Sequence, residues 1–248
     1  MLVLVFDTET TGLPKTKEFS LEPEILQKWP HIVQLSYILY DTKDNNVLKV
    51  RDHIVKLPKN IVMSQESINI HGITNEMSQK DGVEIEQFIG ELFDDFSKVD
   101  LVVAHNLEFD LKVLKAECAR KIEKINDENE KVGIRPYQME TRFVKKGYDK
   151  IHYFEKFMWL ITHNVKYYCT MMNSVEICNI EKTNSMGKYL KFPKLCELHE
   201  ILFKTSPKNL HNSLNDVIIC LRCFLKLKFE EDILEKNLAV RGMLEPLL

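Results

Sequence analysis

The feature that most constrains this chain is its beginning. Met1 to Phe6 reads M-L-V-L-V-F, an almost unbroken apolar run rich in β-formers. Such a run suits a strand buried on both faces of a sheet. It stops abruptly at Asp7-Thr8-Glu9-Thr10-Thr11-Gly12. Side chains alternate along a strand, so Asp7 and Glu9 are expected on one side. Two carboxylates so close at the mouth of a buried strand repel each other. A hard divalent cation would offset the repulsion, because Mg²⁺ and Mn²⁺ prefer oxygen ligands. Taken alone, the doublet equally fits polar residues that merely end a strand.

The 248 residues suffice for one large domain or two small ones with a substantial core. Hydrophobic residues at 44% and charged residues at 29% describe an ordinary soluble globular protein. No apolar stretch approaches the ~20 residues of a membrane span, so no membrane partner is expected. The N-terminal run lacks a basic region ahead of it and a cleavage site, and it reads as a core strand rather than a signal peptide. Six cysteines lie scattered in apolar patterns. Cys220-x-x-Cys223 has no second pair with which to form a zinc site, so buried thiols of a reducing compartment, cytoplasm or nucleus, are expected. A net charge of -3 gives no broad basic footprint. Any nucleic acid would be held locally and through metal.

Along the chain, Leu13 to Lys28 reads as a loop or short helix. Ile32 to Asp41 and Val47 to Leu57 read as strands around an Asp44-Asn45-Asn46 turn, an antiparallel hairpin beside the first strand. Ser64 to His71 reads as a short helix stopped by Gly72, followed by a loop punctuated by Thr74-Asn75-Glu76 and Asp81-Gly82. Glu84 to Phe96 places Ile85, Phe88, Ile89, Leu92, Phe93 and Phe96 on one helical face. Asp100 to Ala104 is a short buried strand, and a helix follows from about His105–Asp110 to Lys124. Between Glu123 and Lys166, breaks at Gly133 and Pro136 precede Lys145, Lys146 and Lys150 interleaved with Tyr148, Tyr153, Phe154, Phe157 and Trp159. That pattern suits a single-strand binding surface or, the preferred reading, a helical insertion that packs its aromatics on the core. Tyr167 to Met172 reads as a strand, and Phe192 to Phe203 and His211 to Phe229 as helices. One more short helix follows Glu230. The order implies an α/β fold with a central mixed sheet, an N-terminal antiparallel hairpin and flanking helices.

Four acids and one histidine now stand at element ends: Asp7 and Glu9, Asp110, Asp216, and His211 five residues before Asp216. In α/β sheets, residues that follow strand ends gather in one crevice. Singly, each is explicable otherwise; Asp110, for instance, suits a helix N-terminus. Together they form motifs. Phe6-Asp7-Thr8-Glu9-Thr10-Thr11-Gly12-Leu13, Ala104-His105-Asn106-Leu107-Glu108-Phe109-Asp110 and His211-Asn212-Ser213-Leu214-Asn215-Asp216 occur in that order. With lesser matches at His71-Gly72-Ile73-Thr74 and Lys194-Leu195-Cys196-Glu197-Leu198, the sequence resembles the DEDDh 3′–5′ exonucleases of the DnaQ-like, RNase H-fold superfamily, such as polymerase proofreading subunits. The resemblance covers roughly residues 1 to 118 and 167 to 228. Ser213 stands where the family usually has Ala, a change expected to be neutral. The segment from about Arg120 to Lys166 is longer than usual.

The resemblance implies a single exonuclease domain over 1–230, with an insertion at about 120–166 and a helical tail over 231–248. It implies two divalent ions, Mg²⁺ or Mn²⁺. Asp7 would bridge them, Glu9 and Asp216 would complete the first, and Asp110 would bind the second. His211 would be the general base, and because imidazole titrates near neutrality, activity should rise with pH through that range. Thr8, Thr10, Thr11, Gly12 and Leu13 would contact the terminal nucleotide, and Asn106 and Phe109 would line the cleft. The expected reaction is hydrolysis from a single-stranded or frayed 3′ end of DNA, releasing nucleoside 5′-monophosphates, in proofreading with a polymerase in trans or in repair. An exoribonuclease and a catalytically inactive binding module on the same fold are the alternatives.

Overall fold

The computed structural model describes residues 1–131 and 148–248. Gly133, Pro136, Lys145 and Lys146, which the sequence reading singled out, lie outside the described residues. So do the side chains of Tyr148 and Lys150.

Five strands form the central sheet: β1 (Leu2–Thr10), β2 (Ile32–Asp41), β3 (Asn46–Ile54), β4 (Leu101–Ala104) and β5 (Tyr167–Cys169). Their order is β3-β2-β1-β4-β5. β1 pairs antiparallel with β2 and parallel with β4, so it sits at the centre of a mixed sheet. The apolar run of β1 follows from that position. Val3, Leu4, Val5 and Phe6 are all completely buried. Alternation sends Leu4 and Phe6 into one core and Val3 and Val5 into the other.

The helices are α1 (Pro23–Leu26), α2 (Gln65–His71), α3 (Asn75–Asp81), α4 (Ile85–Phe96), α5 (Leu107–Lys131), α6 (Tyr148–His163), α7 (Val175–Cys178), α8 (Leu195–Phe203), α9 (Ser213–Phe229), α10 (Ile233–Lys236) and α11 (Leu238–Leu244). α4, α5 and α6 supply one core, α8, α9 and α11 the other. Of the aromatics between 148 and 166, Phe154 and Phe157 are buried against α4 and α5, while Trp159 stacks on His163 in solvent. Phe154 and Phe157 thus pack on the core as the packed-helix reading expects, while the lysines of the binding-surface reading lie outside the described residues.

Several boundaries differ from expectation, each for a local reason. The segment expected as a loop after Gly72 is largely helix α3. Its composition, N-E-M-S-Q-K-D, has no apolar face, and tertiary hydrogen bonds make it helical. Thr74 caps it through Met77 N, and the buried Ser78 hydroxyl donates to Val55 O and accepts from Leu57 N. α5 continues to Lys131 rather than Lys124. β5 stops at Cys169 because Thr170–Ser174 turns into a single tight turn, with the Ser174 hydroxyl donating to Thr170 O. α9 starts at Ser213 because Asn212 caps it and His211 has φ 68°, outside the helical region. A second hairpin, β6 (Glu181–Asn184) with β7 (Gly187–Leu190), had no counterpart in the expectation. After α9, buried Arg222 makes two bonds to Asp232 at 2.9 and 2.6 Å and one to His199, which ties α10 to α9 and α8.

Phe157 contacts Phe93 and Phe96 edge-on at 5.9 and 5.5 Å. Phe157→Ala is expected to cost ~3–5 kcal/mol in urea unfolding. A loss below ~1 kcal/mol would show that α6 is not part of the core.

Candidate active site

The site lies at the edge where β1 and β4 end, the usual crevice of such sheets. β1 delivers Asp7 and Glu9, and the β1–β2 ladder is interrupted between Glu9 and Thr10. α5, which follows β4 directly, delivers buried Asp110; α9 delivers Asp216. The Thr8 hydroxyl donates to Asp110 Oδ1 at 2.7 Å and pins the α5 carboxylate to the strand. The His211 backbone N–H donates to Asp216 Oδ2 at 3.3 Å, while Asp216 Oδ1 is buried with no partner among the described residues. Ligand atoms of Glu9, His211 and Asp216 lie within 4.8 Å of one another.

Burial raises all four carboxyls, and like-charge repulsion adds to it at Glu9, Asp110 and Asp216. Asp7 is pushed up to about 7, chiefly by burial, against the opposing pull of the Ser213 hydroxyl and Thr8 backbone. Glu9 is pushed to about 8 by burial and the Asp7 charge, and Asp216 to about 9 by burial, Asp7 and Glu9. Asp110 is raised by burial and then by Asp7. Among the described residues, no lysine or arginine pairs with any of these four. A carboxylate set without a cationic side chain, with an unpartnered buried oxygen on Asp216, suits hard divalent cations in donor type and charge. The six free cysteines, the buried Cys220 and Cys223 among them, form no comparable ligand group among the described residues.

The residues expected to contact substrate lie near the same edge. Gly12 has φ 156°, a conformation side chains rarely adopt, and the Thr10 hydroxyl donates to its carbonyl at 2.8 Å. Thr11 exchanges two hydrogen bonds with His31. Leu13 is left 84% exposed, an apolar side chain that nothing among the described residues covers. With Trp29, Asn106, Phe109 and Lys112 it lines a cleft of about 390 Å³. Asn106 reaches its place through φ 69°, and Phe109 lies 6.5 Å from Trp29.

The sequence reading missed the supports. The Ser213 hydroxyl, expected to be neutral, donates to the Asp7 carbonyl at 2.7 Å, and Ser213 N donates to Gln34 Oε1 at 3.1 Å. Gln34 Nε2 and the Ser36 hydroxyl both donate to Asp52 Oδ1, at 2.7 and 2.8 Å. One polar network thus crosses three strands and anchors the N-terminus of α9 to β1. The signal was present: Gln34 and Ser36 are polar residues inside the otherwise apolar I-V-Q-L-S-Y-I-L-Y strand. His71 also adjoins the site. Its Nδ1 accepts from Ile73 N, and burial, aided by the nearby His211, lowers its pKa against the opposing pull of the Thr10 backbone.

With this geometry in place, the relatives are informative. The RNase_T family model, described as an exonuclease, matches residues 4–224. The chain belongs to the RNase_T exonuclease family. Solved structures of exonuclease I resemble it. One superposes with a TM-score of 0.55 over 92% of this chain at 16% identity. Exonuclease I of Methylocaldum szegediense gives 0.51 over 94% at 16%. E. coli exonuclease I in complex with a dA16 oligonucleotide gives 0.52 over 92% at 17%. The present chain spans only 41%, 42% and 41% of those three chains. Likeness at such identity establishes the fold, RNase H-like as expected. No curated protein matches the sequence.

Two predictions follow from the charge arrangement and its support. Carboxyls raised on folding stabilise the metal-free fold while protonated, and that contribution fades as pH climbs through about 7, 8 and 9 for Asp7, Glu9 and Asp216. Added Mg²⁺ or Mn²⁺ should therefore raise Tm more near pH ~8.5 than near pH ~6. Asp216→Asn should raise the metal-free Tm, by ~2–4 °C per ~1 kcal/mol of relieved repulsion, and shrink the metal increment. Equal increments at both pH values in the native chain would contradict this. Ser213→Ala should cost ~1 kcal/mol and raise the Mn²⁺ concentration for half-maximal thermal shift several-fold; an unchanged metal midpoint would show that the network does not set the site.

Proposed function

We propose that the chain is a metal-dependent 3′–5′ exonuclease that trims single-stranded DNA ends and releases nucleoside 5′-monophosphates. The observation that carries this reading is the convergence of Asp7, Glu9, Asp110 and Asp216 on one sheet edge, with His211 beside Glu9 and Asp216. Deoxyribose substrate is favoured because the exonuclease I likenesses include complexes with dA16 and dT13 oligonucleotides.

Asp7, Glu9 and Asp216 would hold one divalent ion, and Asp7 and Asp110 a second. When bound, two such ions orient the scissile phosphate and stabilise charge on the attacking and leaving oxygens. The chain's own residues do the rest. Thr8 and the Ser213–Gln34–Asp52 network fix the separation of the strand and helix carboxylates. His211, exposed and held by its backbone to Asp216, accepts the proton of the attacking water on an imidazole nitrogen. Gly12 and the flanking Thr10 and Thr11 bring backbone against the terminal nucleotide, and Leu13 and Phe109 give its base an apolar wall. With six free cysteines and no helix among the described residues long and apolar enough to cross a membrane, the natural setting we infer is a reducing intracellular compartment.

The test uses 5′-labelled single-stranded DNA and matched RNA with Mg²⁺, Mn²⁺ or EDTA. A ladder that shortens from the 3′ end is expected, stronger on DNA. EDTA and Asp7→Ala should abolish it, and His211→Ala should slow it by about 10²–10⁴-fold. Stronger cleavage of RNA would reassign the substrate. Metal-dependent stabilisation without cleavage of either strand would overturn the catalytic reading in favour of a binding module.

A further inference from the structure

The β6–β7 hairpin is unlike the rest of the fold. Among the described residues it pairs with no other strand, and every residue of both strands is exposed. A lone two-stranded hairpin is marginal in water, so its composition needs a reason other than core formation. Lys182 stands opposite Tyr189, Thr183 opposite Lys188 and Glu181 opposite Leu190. Alternation puts Lys182 and Tyr189 on one face and Lys188 on the other. The pairing continues one step further, with Lys191 N donating to Ile180 O. Met186 at the tip is 91% exposed and Phe192 at the base 56%. Residues 181 to 194 carry four lysines against one glutamate, in a chain of net charge -3. Lys182 has no ion-pair partner among the described residues. Lys188 meets Glu181 at 2.9 Å, but both are more than half exposed, so that pair constrains little.

The hairpin also stands in the right place. Immediately past it, the Pro193 carbonyl lies 3.0 Å from His105 Nε2, and His105 Nδ1 lies 2.9 Å from Thr170 Oγ1. His105 and Thr170 directly follow the C-terminal ends of β4 and β5. The arm is therefore rooted on the sheet edge that carries the carboxylates, one residue before Asn106.

We propose that this hairpin is the arm that grips the single strand leading into the site, with Lys182 and Lys188 on phosphates and Tyr189 stacking on a base. Basic side chains interleaved with an exposed aromatic are the chemistry of single-strand binding. The assignment rests on the exonuclease reading, because a 3′ end placed among the carboxylates leaves the rest of the strand to run outward over this edge. The hairpin supplies the local positive charge that the whole chain lacks.

The test is equilibrium binding of a fluorescent oligodeoxythymidylate to the full chain in EDTA, across a salt series. A Lys182→Ala, Lys188→Ala, Tyr189→Ala triple variant should bind about ten-fold more weakly. Its log–log salt slope should be shallower by about 1.4, the loss of two phosphate contacts on a single strand. Lys182→Arg with Lys188→Arg should keep the slope. In Mg²⁺ the triple variant should cleave a dinucleotide at the native rate and lose efficiency only on long strands. Native affinity and slope in the triple variant would overturn the assignment and leave the hairpin to a protein partner. Binding in EDTA needs no cleavage, so an inert enzyme whose triple variant still loses affinity would sink the catalytic reading alone.

Discussion

Like-charge repulsion at the end of β1 is the constraint on which the rest of the structure depends. Asp7 and Glu9 leave a strand whose preceding four residues are completely buried, so their charge is set where water is scarce. Asp110 and Asp216 are then brought to the same place from two helices. Asp7 raises the proton affinity of Glu9, Asp110 and Asp216, Glu9 adds to the last two, and no cationic side chain among the described residues relieves them. A fold that only had to be stable would disperse these groups. That they converge, on rigid elements, is what gives the edge its capacity for divalent ions.

Holding repelling groups together demands supports that do not neutralise them. The site uses neutral donors for this. Thr8 fixes Asp110, and Ser213 fixes the Asp7 backbone, both through hydroxyls. Charge is kept one layer back, on Asp52, where Gln34 and Ser36 satisfy it. A second network braces the substrate loop. Arg120 donates to the carbonyls of Leu26, Trp29 and Pro30 and to Glu117, while His31 meets Glu117 at 2.9 Å. Burial would raise the Glu117 carboxyl, but His31 and Arg120 outweigh it and hold it below the usual range. The contrast is physical. Glu117 is paired and low, a structural charge; the four edge carboxyls are unpaired and high.

These differences explain what the sequence disclosed. The central strand was legible because burial on both faces leaves a continuous apolar signature, and the motif residues because their chemistry is confined to a few types at element ends. Helix α3 was not legible: its helicity comes from Thr74 and from Ser78 reaching back across β3, and neither leaves a periodic trace. The Ser213–Gln34 contact joins residues 179 apart, and nothing local to either announces the other. Polar residues within β2 were the only hint. The β6–β7 hairpin was silent for the opposite reason: with no face buried, its strands show no alternation of polar and apolar side chains.

The distribution of charge closes the argument. If, as proposed, the chain acts on a polyanion, its net charge of -3 cannot draw that substrate by its overall field. Its acidic edge, before cations occupy it, would repel a phosphodiester outright. Attraction must therefore come in two separable parts, metal at the edge for the reacting phosphate and local lysines for the strand behind it. The first part demands rigidity: Asp110 is buried, Asp7, Glu9 and Asp216 are half-buried, and the Thr8 and Ser213 hydroxyls brace them. The second tolerates exposure, and its candidate residues sit on an arm that buries nothing. On that reading the two electrostatic tasks are segregated by exposure: carboxylates without a cationic partner among the described residues at the sheet edge, and exposed Lys182 and Lys188 on the arm, whose base meets His105 through the Pro193 carbonyl.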